Sequence, residues 1–115
     1  MKISRFELDS IEIELIAKAI WTKQENDYIN KTDDMIIIAA EKYKFRTNSA
    51  QLNMIVVKKD GPKSHIDIIG AAGGIGIFNI NFGAESNFIY ECVRLLKAYC
   101  SQNGINLKEK DGIND

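Results

Sequence analysis

The stretch that decides the fold runs from Ala50 to Phe82 and reads AQLNMIVVKKDGPKSHIDIIGAAGGIGIFNINF. Leu52, Met54 and Val56 share one face of a strand over residues 50–58, and Ile66 and Ile68 point inward from a second over 63–69. Phe78, Ile80 and Phe82 alternate along a third. Asp60-Gly61-Pro62, which holds the only proline, is the turn between the first two. The glycine-rich run Gly70-Ala71-Ala72-Gly73-Gly74-Ile75-Gly76 joins the second to the third. Phosphate-cradling loops lead from a strand into a helix, where backbone amides converge on the anion. This one leads into a strand and lacks a Gly-Lys-Ser/Thr ending, so it reads as a hairpin connection.

Working outward, Met35 to Arg46 is β-branched and then alternating, and Thr47-Asn48-Ser49 is a turn. Residues 2–8 alternate as a short first strand. Asp9-Ser10 supplies an N-cap, and Ile11, Leu15, Ile16, Ala19 and Ile20 recur at helical spacing, which predicts a helix over 10–25. A polar connection follows through Asp34. A second helix begins near Gly83-Ala84-Glu85, carries Phe88, Cys92, Leu95, Leu96 and Tyr99 on one face, and stops at Asn103-Gly104. The order β-α-β-β-β-β-α predicts an α+β fold: an antiparallel sheet with two helices on one face. It looks like one repeat of the TATA-binding-protein-like fold, or a helix-grip arrangement. Residues 1–104 form a single domain in this reading, and residues 105–115 a polar, flexible C-terminal tail.

Composition narrows the function classes. The chain has 115 residues, 45% apolar and 27% charged, with a formal net charge of −1, which suits one globular core and argues against disorder. No apolar run approaches the roughly 18 residues that a membrane span needs. Charged residues follow Met1-Lys2-Ile3 directly, with no apolar segment of the signal-peptide kind. Cys92 and Cys100 sit one above the other on a single helix, about 12 Å apart at ~1.5 Å per residue, too far for a disulfide. The expectation is a soluble protein of a reducing cytoplasm.

Folding the last hairpin about Gly73 sets His65 opposite Asn81, Asp67 opposite Asn79 and Ile69 opposite Ile77. All six fall on the face away from Ile66, Ile68, Phe78 and Ile80. A turn centred on Gly61 brings Ile55 and Val57 to the same face, and Lys42, Lys44, Arg46, Gln51 and Asn53 extend it. This uncovered face is thus predicted to be polar but crossed by Ile55, Val57, Ile69 and Ile77. Apolar patches rimmed by polar groups mark contact sites.

Other chemistries find less support. His65 and Asp67 stand two apart on a strand, about 6.5 Å, with no nucleophile placed beside them. A single histidine and two helix-face cysteines offer no metal-ligand spacing. Trp21, Tyr28 and Tyr90 read as packing residues rather than stacking platforms. Lys42, Lys44 and Arg46 on one strand face admit an anion or nucleic acid, but a pI of 5.8 and the absence of a basic helix argue against nucleic acid.

Glu41-Lys42-Tyr43-Lys44-Phe45, Gln51-Leu52-Asn53-Met54 and the run from Gly73 through Phe82-Gly83-Ala84-Glu85 carry a further likeness. Over residues 35–100 the chain resembles a family of small bacterial proteins of unknown function, mostly from Firmicutes. The resemblance implies a bacterial cytoplasmic protein and brings no activity, cofactor or catalytic residue. The sequence therefore points to a non-catalytic binding domain that forms a homo-oligomer through its open sheet face, with no cofactor, metal or membrane partner. A small-ligand carrier with a pocket between sheet and helices is the second reading, and an anion binder through Lys42, Lys44 and Arg46 the third.

Overall fold

The computed structural model describes residues 1–22, 25–44, 49–74 and 84–114. The elements in chain order are β1 (Lys2–Leu8), α1 (Ile13–Ile20), β2 (Tyr28–Lys31), β3 (Met35–Lys44), β4 (Ser49–Asp60), β5 (Lys63–Gly74), α2 (Ala84–Asn103) and β6 (Leu107–Asn114). The β-branched runs Ile36-Ile37-Ile38, Ile55-Val56-Val57 and Ile66 to Ile69 form the middle of β3, β4 and β5, where such side chains pack well on a pleated surface. All strands join one antiparallel sheet in the order β2-β3-β4-β5-β1-β6. The first strand thus lies beside β5, and the chain returns through α1 to begin again at the far edge with β2.

The α+β class and the sequence of strands and helices are as predicted, with β6 added at the end. Among the described residues four strands separate the helices, and one of them was not expected. Tyr28–Lys31, read as polar connection, is a strand exposed along its length. Its hairpin to β3 is closed by Thr32, whose hydroxyl accepts from the backbone N–H of Asp34 (3.2 Å) and Met35 (3.0 Å). The strand expected over Phe78 to Phe82 lies outside the described residues. Residues 107–114, read as part of a flexible tail, form β6 along the free edge of β1. Polar composition misled there, because an edge strand gains ladder hydrogen bonds without needing an apolar face.

Both helices lie on one face of the sheet. Ile13, Ile16, Ala17 and Ile20 of α1 and Phe88, Ile89, Cys92, Leu96 and Cys100 of α2 enclose Phe6, Leu8, Ile36, Ile38, Ile55, Val57, Ile66 and Ile68. Helix α1 is shorter than predicted. Ser10 accepts from the N–H of Glu12 but does not cap the helix, which begins only at Ile13. Gly104, at φ +64°, ends α2, and the N–H of Ile105 reaches back to the carbonyl of Cys100.

The decisive departure is at the turn between β4 and β5. Asp60 pairs with Lys63, so the turn has two central residues, Gly61 and Pro62, rather than a single centre at Gly61. Gly61 has φ +61°, as the first central position of a type II′ turn requires, and Pro62 fits the second. The shift is one residue, and a one-residue slip exchanges the faces of a strand. Ile55 therefore pairs with Ile68 and Val57 with Ile66. Both are fully buried under the helices. Met54 and Val56 take the opposite face. We expect Ile55→Ala to cost about 2–5 kcal/mol, through lost burial plus a cavity, and Met54→Ala about 1 kcal/mol or less in dilute protein. Denaturant titration of both variants checks the assignment, which equal losses would contradict.

Candidate functional site

The sheet face opposite the helices carries no helix among the described residues, and its side chains follow from the register. One cross-strand row runs Tyr28, Ala39, Met54, Ile69 and Ile3 from β2 across to β1. It is apolar apart from the Tyr28 hydroxyl. The next row places Ile37 and Val56 beside Asp67 and Arg5, and on the other side Leu52 stands beside Ala71. Ile3, Ile37, Met54 and Val56 are half-buried by their neighbours, and Leu52 is 38% exposed. An apolar band therefore crosses the open face from β2 to β1.

Most of the charge on this face lies at the end nearest the β4–β5 turn, while Glu41 stands beside Leu52 at the other end. The Arg5 Nε–H donates to Asp67 Oδ1 at 3.1 Å. Glu7 lies between Lys63 Nζ, 3.0 Å from Oε1, and Lys110 Nζ, 3.4 Å from Oε2, with its side chain 14% exposed. Lys63 also reaches Asp9 at 3.7 Å. His65 Nε2 stands 2.7 Å from Asp60 Oδ2 and 3.9 Å from Glu7 Oε2. A carboxylate can only accept, so Nε2 carries a proton in the contact with Asp60. The hydrogen bond from Lys63, opposed by partial desolvation and reinforced by Lys110, holds the Glu7 carboxyl below its ordinary value of 4.5. The hydrogen bond and charge of Glu7, helped by Asp9, in turn hold Lys63 above its ordinary value.

Of the residues predicted for this face, His65, Asp67 and Ile69 are on it. His65 and Asp67 do not engage each other, since each has its own partner. Five residues, Ile55, Val57, Asn53, Gln51 and Lys42, are on the helix side instead. Ile55 and Val57 belong to the core. Asn53 is 2% exposed and accepts from Gln51 Nε2 at 2.6 Å, forming a buried amide pair that sequence reasoning placed in solvent. Lys42 pairs with Gln51 on the helix side of β3 and is exposed. Lys44 lies at the end of β3, while Arg46, Ile77, Asn79 and Asn81 are outside the described residues. The sequence reading missed Met54, Val56, Ile37 and Ile3. The alternation of Leu52, Met54 and Val56 was the available signal, assigned to the wrong side.

Two concavities lie on the helix side. One, of about 190 Å³, is enclosed by α1, β2 and β3, with Trp21 in its wall. The Trp21 ring packs edge-on against Phe88 at 5.8 Å, and its buried Nε1 has no hydrogen-bond partner among the described residues. The other, of about 480 Å³, lies between α2 and β1. Tyr28 and Tyr90, read as packing residues, are 52% and 80% exposed. Among the described residues no group of three or more His, Cys, Asp or Glu side chains could hold a metal ion, and no helix is long and apolar enough to cross a membrane.

Residues 8–100 match a family of unknown function, DUF6054. The chain belongs to that family. No curated protein matches the chain. The matched segment of this DUF6054 member spans most of the sheet and both helices down to Cys100, and stops before β6.

The two thiols are free and buried. Burial, with a contribution from the charge of Glu91, pushes the Cys92 thiol up to about 12 from an ordinary 9.0. Its thiolate is then roughly a thousandfold scarcer at a given neutral pH than in an ordinary cysteine. Burial raises Cys100 as well. We expect iodoacetamide to alkylate Cys92 in the folded chain more than about a hundredfold more slowly than in denaturant, read by mass spectrometry; comparable rates would contradict the burial. Glu7 supplies a pH test. Its depressed folded value gives stability that is present above the unfolded value and lost as pH falls through the folded one. Between neutral pH and about pH 3, Lys63→Met is expected to flatten the fall of the thermal midpoint relative to the unaltered chain. Parallel curves would show that Lys63 does not set the Glu7 carboxyl.

Proposed function

We propose that this DUF6054 member is a non-catalytic interaction domain that pairs with a second copy of itself through the open sheet face. The observation that carries the reading is the apolar row Tyr28, Ala39, Met54, Ile69 and Ile3, widened by Ile37, Val56 and Leu52. Contiguous apolar surface rimmed with polar groups is how soluble proteins present contact sites.

Area favours a second copy as the occupant. Five strands of about seven residues and the four-residue β2, at ~4.8 Å spacing, give a face of roughly 600 Å², approaching the ~800 Å² per partner of a standard specific interface. At the charged end of the face Arg5 is held by Asp67, and Lys63 and Lys110 both reach Glu7. Two copies related by a two-fold axis would set each apolar band against the other, as in a sheet-on-sheet sandwich about 10 Å thick. A bacterial, cytoplasmic setting belongs to the same proposal. It rests on the sequence resemblance and on two buried thiols, which suit a reducing compartment.

Val56→Lys is the direct test, because Val56 is central to the band and the change leaves the helix-side core intact. Sedimentation equilibrium is expected to give a dimer for the unaltered chain at micromolar concentration and a monomer for Val56→Lys, with unchanged circular dichroism. A monomer for the unaltered chain at high concentration, or a dimer that survives Val56→Lys, would overturn the proposal.

A further inference from the structure

The 480 Å³ trough on the helix side offers a second site, independent of the open face because the sheet lies between them. Its described walls are Ser4 of β1 and Ile89, Tyr90, Val93, Arg94 and Lys97 of α2. Helix α2 packs on β5, β1 and β4, so the trough lies at the β1 border of the helix cover. The β1–β6 pairing is irregular at the same place. Ile3 pairs with Ile113 but Arg5 with Lys110, so the register shifts around Ser4. Bulges of this kind often stand beside binding sites.

The lining is chemically asymmetric. Ile89 and Val93 give an apolar wall, Tyr90 stands almost fully exposed, and the charged members are both cations. No acidic residue lines the trough among the described residues. Arg94 is already held by Glu91, with its Nε–H donating to Oε2 at 3.2 Å. Lys97, exposed and in no ion pair among the described residues, is the cation left for a ligand. The volume falls within the ~300–1,000 Å³ of small-molecule sites, which combine apolar walls with a few polar groups that fix orientation.

We propose that this trough binds a small organic anion with an apolar body, of the alkyl carboxylate class. The hydrocarbon lies along Ile89 and Val93, the carboxylate meets Lys97 Nζ, and the Ser4 hydroxyl is a further donor. The contact to Lys97 is charge-assisted and supplies the preference for an anion over a neutral molecule of the same shape.

The test is a titration of the isotope-labelled chain followed by amide chemical shifts, with decanoate and decanol as probes, repeated on Lys97→Glu. Lys97 is at the surface, so the variant keeps the fold. Decanoate is expected to shift the amides of Ser4, Ile89, Val93 and Lys97 saturably and to bind about tenfold more tightly than decanol. Lys97→Glu is expected to remove that preference and leave decanol binding unchanged. Equal affinities for the two probes, shifts confined to Met54, Val56 and Ile69 on the open face, or no shifts at millimolar decanoate would each overturn the proposal. None of these readings depends on the oligomeric state.

Discussion

Asp60 and Lys63 face each other across Gly61-Pro62, and that pairing assigns every residue of β4 and β5 to a side of the sheet. Gly61 can hold φ +61° without strain, and proline cannot take the positive φ that a type I′ turn would demand of its second central position. A two-residue type II′ turn is what remains, and its twist matches that of the strands it joins. From it follow Ile55 against Ile68 and Val57 against Ile66. Those four, with Ile36, Ile38, Phe6 and Leu8, are the surface on which both helices rest.

A six-stranded sheet has two faces, and two helices cover one. The helix side takes the fully buried aliphatics and the Gln51–Asn53 amide pair, whose polar atoms need partners once removed from water. The other side divides by position. Apolar side chains fill the rows through Met54 and Ile69, while Arg5, Glu7, Lys63, His65 and Asp67 occupy the end near the turn. Exposed ion pairs of this kind contribute little to stability. The apolar band beside them is the part of the face suited to burial against a like surface.

Much of this was legible in the sequence. Alternation in residues 50–58 and 63–69, the single apolar stripe of α2 and the Gly104 stop each reflect strong local signals, and they gave the α+β class and the placement of both helices on one side. The uncovered face was legible as an idea and in His65, Asp67 and Ile69. Its aliphatics were not, because Ile55-Val56-Val57 is apolar at three successive positions and alternation alone does not say which of them face the helices. The turn length decides that, and a Gly-Pro turn was read as centred on one residue instead of two. Strands β2 and β6 were missed because they are edge strands, with polar or exposed side chains that carry no burial signal.

The central claim is that the Met54 face of one chain meets the Met54 face of another. Isotope-filtered NMR on an equimolar mixture of methyl-labelled and unlabelled chains tests it most directly, since only contacts between copies are seen. The account predicts intermolecular contacts among the methyl groups of Ile37, Met54, Val56 and Ile69. Contacts running instead from Ile29 of β2 or Leu107 of β6, or none at all at millimolar protein, would contradict it.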